Sequence, residues 1–131
     1  MNVTIVRRSY EAFARGDMDA VVADMDDAIE WQQAQGLHHG GTYRGLAEVR
    51  ANIFDPLDRD WWSEFSAVAD EFLDAGDEVV VLGRYRGVAQ ETRKILDVPF
   101  VHIWSLRDGK AWRFRQFLDT AGWIEALAPE V

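Results

Sequence analysis

The segment from Val98 to Thr120, VPFVHIWSLRDGKAWRFRQFLDT, constrains the fold more than any other part of the chain, because it reads as one β-hairpin. Asp108-Gly109 lies between two apolar and aromatic runs, and both residues tolerate the positive φ angles of a two-residue turn. With Arg107 opposite Lys110, His102 comes to face Arg115, Phe100 faces Phe117 and Val98 faces Asp119. Strand side chains alternate between faces, so His102 and Asp119 are expected on one face with Phe100, Trp104, Arg115 and Phe117. Ideal strands keep the histidine and the carboxylate roughly 13 Å apart. The expectation is a titratable pair inside an aromatic wall, bridged by a ligand rather than in direct contact.

Upstream of the hairpin the hydrophobic period changes once. Val3, Val6, Tyr10, Phe13 and Ala14 follow the spacing of one helix face, Gly16 is a C-cap, and Asp17 can cap a second helix carrying Met18, Val21, Val22 and Met25. The spacing predicts a short strand over Ala28 to Gln33, a glycine-rich loop from Gly36 to Gly45, and a third helix from Leu46 to Phe54. From residue 61 the pattern alternates. Phe65 to Asp74 and Asp77 to Gly87 form a hairpin around Ala75-Gly76, and Ala121 to Leu127 adds a helical turn. Three helices followed by antiparallel strands is an α+β layout in which the helices cover one face of a curved sheet.

The length of 131 residues fits one domain, residues 1–131, and 48% hydrophobic residues suffice for its core. Fourteen basic and 23 acidic residues give a net charge of −9, which argues against nucleic-acid or anionic-membrane partners. Cysteine is absent, so disulfides, thiolate nucleophiles and cysteine-ligated metals are excluded. No metal-ligand spacing and no phosphate-cradling glycine motif is present, and neither a metal nor a cofactor is expected. The N-terminal residues lack the apolar run of a secretory signal, and no window reaches the ~20 apolar residues of a membrane span, so a cytoplasmic location is expected.

Seven motifs in order carry a resemblance: Y-E-A-F-A-R-G-D-M-D-A-V at 10–21, D-D-A-I-E-W at 26–31, Y-R-G-L at 43–46, G-R-Y-R-G at 83–87, P-F-V-H-I-W at 99–104, D-G-K at 108–110 and F-R-Q-F-L-D-T at 114–120. Over nearly the whole chain the sequence resembles the SnoaL-like polyketide cyclases, which belong with the ketosteroid isomerases to the nuclear transport factor 2-like superfamily. The resemblance implies a cone: a bent mixed sheet closed by about three N-terminal helices around an apolar pocket, commonly in homodimers paired through the outer sheet face. It also implies a cofactor-independent reaction, in which a carboxylate near the end of the last strand removes a proton next to a carbonyl. Asp119 occupies that place. The isomerases' own base position is matched by Gln32, an amide that cannot serve as a carboxylate base. Their oxyanion donors are matched by His102 and, a residue out of register, by Tyr10.

These readings converge on an isomerase or cyclase acting on a hydrophobic carbonyl compound, with Asp119 as base and His102 and Tyr10 stabilising the enolate. Arg115 on the same face would oppose a raised Asp119 pKa. Trp31, Trp62, Tyr85, Phe100, Trp104, Arg115 and Phe117 are the candidate substrate-binding walls. His38 and His39 are expected as exposed loop residues or a rim. Two alternatives use the same residues: a hydrolase in which Asp119 activates water, and a domain that binds a ligand or a partner without turnover. Asp119 also stands where it would cap the last helix.

Overall fold

A computed structural model describes residues 1–129. Helix α1 (Asn2–Ala14) ends at Gly16, whose φ of 74° is the left-handed conformation that stops a helix. Asp17 then caps α2 (Met18–Val21) by accepting from the Ala20 amide at 3.2 Å. The Ser9 hydroxyl donates to the Val21 carbonyl at 2.8 Å and ties the two helices together.

Six strands form one mixed sheet: β1 (Met25–Gln33), β2 (Gly41–Arg44), β3 (Trp62–Ala75), β4 (Glu78–Ala89), β5 (Ile95–Arg107) and β6 (Lys110–Leu118), in the order β2-β1-β6-β5-β4-β3. Only β1 and β6 run parallel, which brings the first strand beside the last and curls the sheet toward the helices. The third helix, α3 (Leu46–Val49), continues in wider π-helical turns over Arg50–Phe54 and Leu57–Trp61 on either side of Pro56, whose missing N–H disfavours regular α-helix there. Helix α4 (Thr120–Leu127) closes the open end, with Trp123 buried. No described helix is long and apolar enough to cross a membrane.

The expected elements are present, with three differences: the second helix stops at Val21, so that Met25 begins β1 instead of continuing the helix face, helical turns extend beyond Phe54 to Trp61, and a further strand appears. Strand β2 lies inside the segment expected to be loop; it is four residues long and exists by pairing with β1, where Arg44 meets Glu30 at 2.7 Å. The sheet's inner face, the helices and α4 enclose a core that includes Trp31, Trp62, Phe114 and Trp123.

The register of the opening hairpin differs from the expected one at a single point. Arg107 faces Lys110 across an Asp108-Gly109 turn with φ angles of 52° and 76°, as expected. Leu106 then pairs with Ala111, but Ser105 pairs with Arg113, leaving Trp112 as an extra residue on β6. The guanidiniums of Arg107 and Arg113 each lie 5.0 Å from the centre of the Trp112 ring. Beyond this bulge every β6 side chain is one position out of the expected phase. His102 therefore faces Gln116, and Phe100 faces Leu118.

Candidate functional site

The phase shift decides which side chains meet inside the sheet. Phe114 and Gln116 point inward and are buried, whereas Arg115 and Phe117 lie on the outer face, with Phe117 53% exposed. The expectation that Arg115 and Phe117 share the face of His102 is thus corrected by one bulged residue. Arg115 instead joins Arg113 and Ser105 around Glu78, at 2.8 Å from its carboxylate. The Ser105 hydroxyl and then the two guanidiniums hold the Glu78 carboxyl below its usual pKa.

Asp119 is also outside. It is exposed and serves as the N-cap of α4, accepting from the Gly122 amide at 3.0 Å. The helix start that DTAGW allows has taken the side chain, and the expected common face for Asp119 and His102 does not form.

What the sheet does bring together is a hydrogen-bonded chain of three rings. Tyr10 from α1 reaches His102 Nδ1 at 2.5 Å, and Tyr85 from β4 reaches His102 Nε2 at 2.5 Å. The Trp104 indole donates to Tyr10 Oη at 2.9 Å, and the Gln116 amide donates to Tyr85 Oη at 2.8 Å. The Gln116 carbonyl accepts from the Ala34 amide at 3.1 Å. His102 stacks on Phe100 with ring centroids 3.9 Å apart and meets the edge of Phe114 at 4.8 Å. Burial penalises the imidazolium and pushes the His102 pKa down to about 3, so the ring is neutral. Burial raises both phenol pKa values; the Trp104 and Gln116 hydrogen bonds oppose this without reversing it. Both tyrosines remain protonated donors at physiological pH.

These groups line a cavity of about 70 Å³ under α1 and the π-helical turns that carry Ile53, Phe54 and Leu57. Tyr10, Tyr85, His102, Trp31 and Trp104 are in its wall, as are Gln33, Phe114, Gln116 and Trp123, which the sequence did not single out. Of the other candidate walls, Phe100 backs His102, and Trp62 packs behind Phe65 and Trp123. No Asp, Glu, Lys or Arg lines the cavity among the described residues. An apolar cavity that admits benzene measures about 150 Å³, so a cavity of about 70 Å³ has room for only a small fragment. A larger ligand needs the wall to move. Tyr10, Phe13, Phe65 and Ala67 are shared between the cavity and a surface groove along α1 and β3, so little more than their side chains separates the two.

On β1 the inward amide is Gln33 rather than Gln32, which pairs between Thr42 and Arg115 and is only half-buried. Gln33 accepts from the Trp31 indole at 2.8 Å and is 2.8 Å from His39 Nε2. His39, expected as exposed loop or rim, is buried beneath Trp61 and beside Trp123, while His38 stays exposed. Burial, aided by the neighbouring His38, depresses the His39 pKa to about 3.

The fold and sequence have close counterparts. A SnoaL-like domain model matches residues 6–114. An NTF2-like protein from Burkholderia thailandensis shares 36% identity over 98% of both chains with a TM-score of 0.92. An NTF2-like protein of unknown function from Burkholderia pseudomallei shares 34% over 97% of both, with a TM-score of 0.88. TerC, co-crystallised with polyporic acid, is 27% identical over 96% of this chain and 97% of its own, with a TM-score of 0.86. No match to a curated protein reaches significance. With a family model spanning most of its length and relatives above 30% identity across nearly all of it, the chain belongs to the SnoaL-like family of the NTF2-like superfamily.

Proposed function

We propose that the cavity binds a hydrophobic small molecule through a carbonyl or enol oxygen and acts on it without a cofactor, in the manner of an isomerase or cyclase. One observation carries this reading. Tyr10 and Tyr85 flank one neutral imidazole, and a neutral imidazole has one N–H and one acceptor nitrogen. Only one tyrosine can therefore donate to the ring, and the other keeps an O–H with no acceptor among the described residues. A ligand oxygen supplies that acceptor. Charge developing on the oxygen as an enolate forms is stabilised most by a fixed donor in an apolar site, which the surrounding rings provide. TerC's polyporic acid supports a small organic molecule as the occupant of such a fold.

The carboxylate base expected at Asp119 lies outside this cavity, so the reading rests on the tyrosines and His102, and the hydrolytic version loses its water-activating group. The lack of a charged side chain in the described wall favours a second reading, ligand binding without turnover. Thermal stabilisation by cyclohexanone and acetophenone tests whether the cavity takes a carbonyl compound at its tyrosines. The proposed site gives stabilisation of wild type and Asp119→Asn that is lost in the Tyr10→Phe/Tyr85→Phe double variant, because either tyrosine alone can still offer a free O–H. Loss in Asp119→Asn alone would transfer the function to Asp119.

The homodimer remains part of the proposal. On the outer face Val80 pairs with Ile103, Leu82 with Val101 and Val101 with Phe117, an apolar strip that a second copy of the chain would cover. Sedimentation at micromolar concentration tests it; a monomer overturns it.

A further inference from the structure

The three-ring chain offers more than a single donor. The His102 ring can carry its proton on either nitrogen, and each choice sets the opposite tyrosine free. With the proton on Nδ1, the ring donates to Tyr10, Tyr85 donates to Nε2, and the Tyr10 O–H is available. With the proton on Nε2 the roles exchange, and the Tyr85 O–H is available. The supporting partners are neutral to this choice: Trp104 donates to Tyr10 and Gln116 donates to Tyr85, so each phenol oxygen is an acceptor in both arrangements. Both hydroxyl-bearing residues line the same cavity.

We propose that Tyr85–His102–Tyr10 is a two-way proton relay, through which a ligand hydroxyl at one tyrosine loses its proton while a ligand carbonyl oxygen at the other gains one. The inference rests on the functional reading above and names its substrate class: a molecule with a carbonyl and an enolic or phenolic hydroxyl, spaced by an imidazole ring and its two hydrogen bonds. In one direction the ligand O–H at Tyr85 breaks and its proton passes to Tyr85 Oη. The proton already on Tyr85 moves to Nε2, the proton on Nδ1 moves to Tyr10, and the Tyr10 proton forms the new ligand O–H. Within the ligand, the lone pair released at the hydroxyl becomes a carbonyl π bond, the conjugated double bond shifts, and the original carbonyl π pair ends on the oxygen that was protonated. Nothing is oxidised or reduced, and no residue carries a net charge afterwards. The ring finishes in its other tautomer and re-equilibrates once the cavity empties. The relay moves protons between two ligand oxygens, in a cavity whose described wall contains no carboxylate.

The test is long-range ¹H–¹⁵N NMR of the His102 ring in the full chain at pH 7, for wild type, Tyr10→Phe and Tyr85→Phe. A relay requires both tautomers in wild type, seen as two nitrogen shifts intermediate between protonated and unprotonated values. Each variant should lock the ring with its proton toward the remaining tyrosine, because an orphaned N–H is less tolerated than an orphaned acceptor: Nε2–H in Tyr10→Phe and Nδ1–H in Tyr85→Phe. One tautomer common to all three proteins overturns the relay. Titration with 1,3-cyclohexanedione, a small diketone whose ring holds the enol hydroxyl and the carbonyl apart, reports separately on the functional reading. Shifts at the Trp104 indole and the His102 ring support it, and no shift at either overturns it while the ligand-free tautomer data still decide the relay. If Tyr85→Phe fails to fold, wild type and Tyr10→Phe decide: a relay predicts mixed tautomers in wild type that become Nε2–H in Tyr10→Phe, and the same single tautomer in both overturns it.

Discussion

Phe100 lies flat against His102, and the residue paired with Phe100 on the neighbouring strand is Gly83. A Cβ at Gly83 would run into the Phe100 ring and the Val68 carbonyl, so the missing side chain is what lets the ring lie in the plane that holds His102. Gly83→Ala is expected to cost about 1–3 kcal/mol, the range for overpacking a filled core. Urea unfolding reads the loss, and a change in the His102 NMR signals places it at the site. Wild-type stability would show that the strands separate there at little cost.

Stability should fall as the solution is acidified from near neutrality. His102 and His39 are held neutral in the fold, with pKa values of about 3, while the unfolded chain takes up protons near pH 6.5. Their contribution is therefore complete above about pH 6.5 and drains away toward pH 3, with a limiting slope of about 1.4 kcal/mol per pH unit for each ring. The carboxylates of half-buried Glu78 and exposed Asp97, whose pKa values are lowered, add to the loss only as the pH falls through about 4.5 and below. Urea midpoints between pH 6.5 and 4.5 isolate the histidines. His39→Gln should reduce the slope; a pH-independent midpoint in wild type would contradict the burial of neutral rings.

Two phenylalanines three positions apart on β6 make opposite predictions. Phe114 is 1% exposed and stacked on Trp31 with centroids 3.8 Å apart, so Phe114→Ala should cost about 3–5 kcal/mol. Phe117→Ala should change the stability of the single chain by no more than about 0.5 kcal/mol while weakening any dimer formed through the outer face. Equal losses in dilute urea titrations would mean that the Trp112 bulge does not set the register in solution.

Asp119 is expected to act as a cap. Asp119→Ala should lose about 1 kcal/mol, and Asp119→Asn, which keeps an acceptor oxygen, should lose little. Neither should alter stabilisation by small ketones. An Asp119→Asn protein that folds with wild-type stability but no longer responds to the ketones would return the carboxylate to the site.

The features the sequence determined by itself are those governed by local chemistry. Asp108-Gly109 tolerates positive φ, Gly16 and Asp17 separate two helices, and alternation beyond residue 61 marks strands; each follows from a residue's own backbone preference or from its immediate neighbours. The family motifs likewise identified the fold, and they pointed to Tyr10 and His102 as cavity residues. Tertiary structure alone decided which side chains meet. Trp112 carries no compositional sign of a bulge, yet one extra residue reverses the facing of everything after it, exchanging Arg115 and Phe117 for Gln116 at the cavity. Strand β2 needed β1 beside it, and the burial of His39 needed Trp61 and Trp123. His102 illustrates the division most directly: the hairpin placed it on a strand, but its partners come from α1, 92 positions away, and β4, 17 positions away. Local sequence fixes the direction of a strand side chain only relative to its own strand; hydrogen-bond partners are chosen by how the sheet curls and which helix closes it.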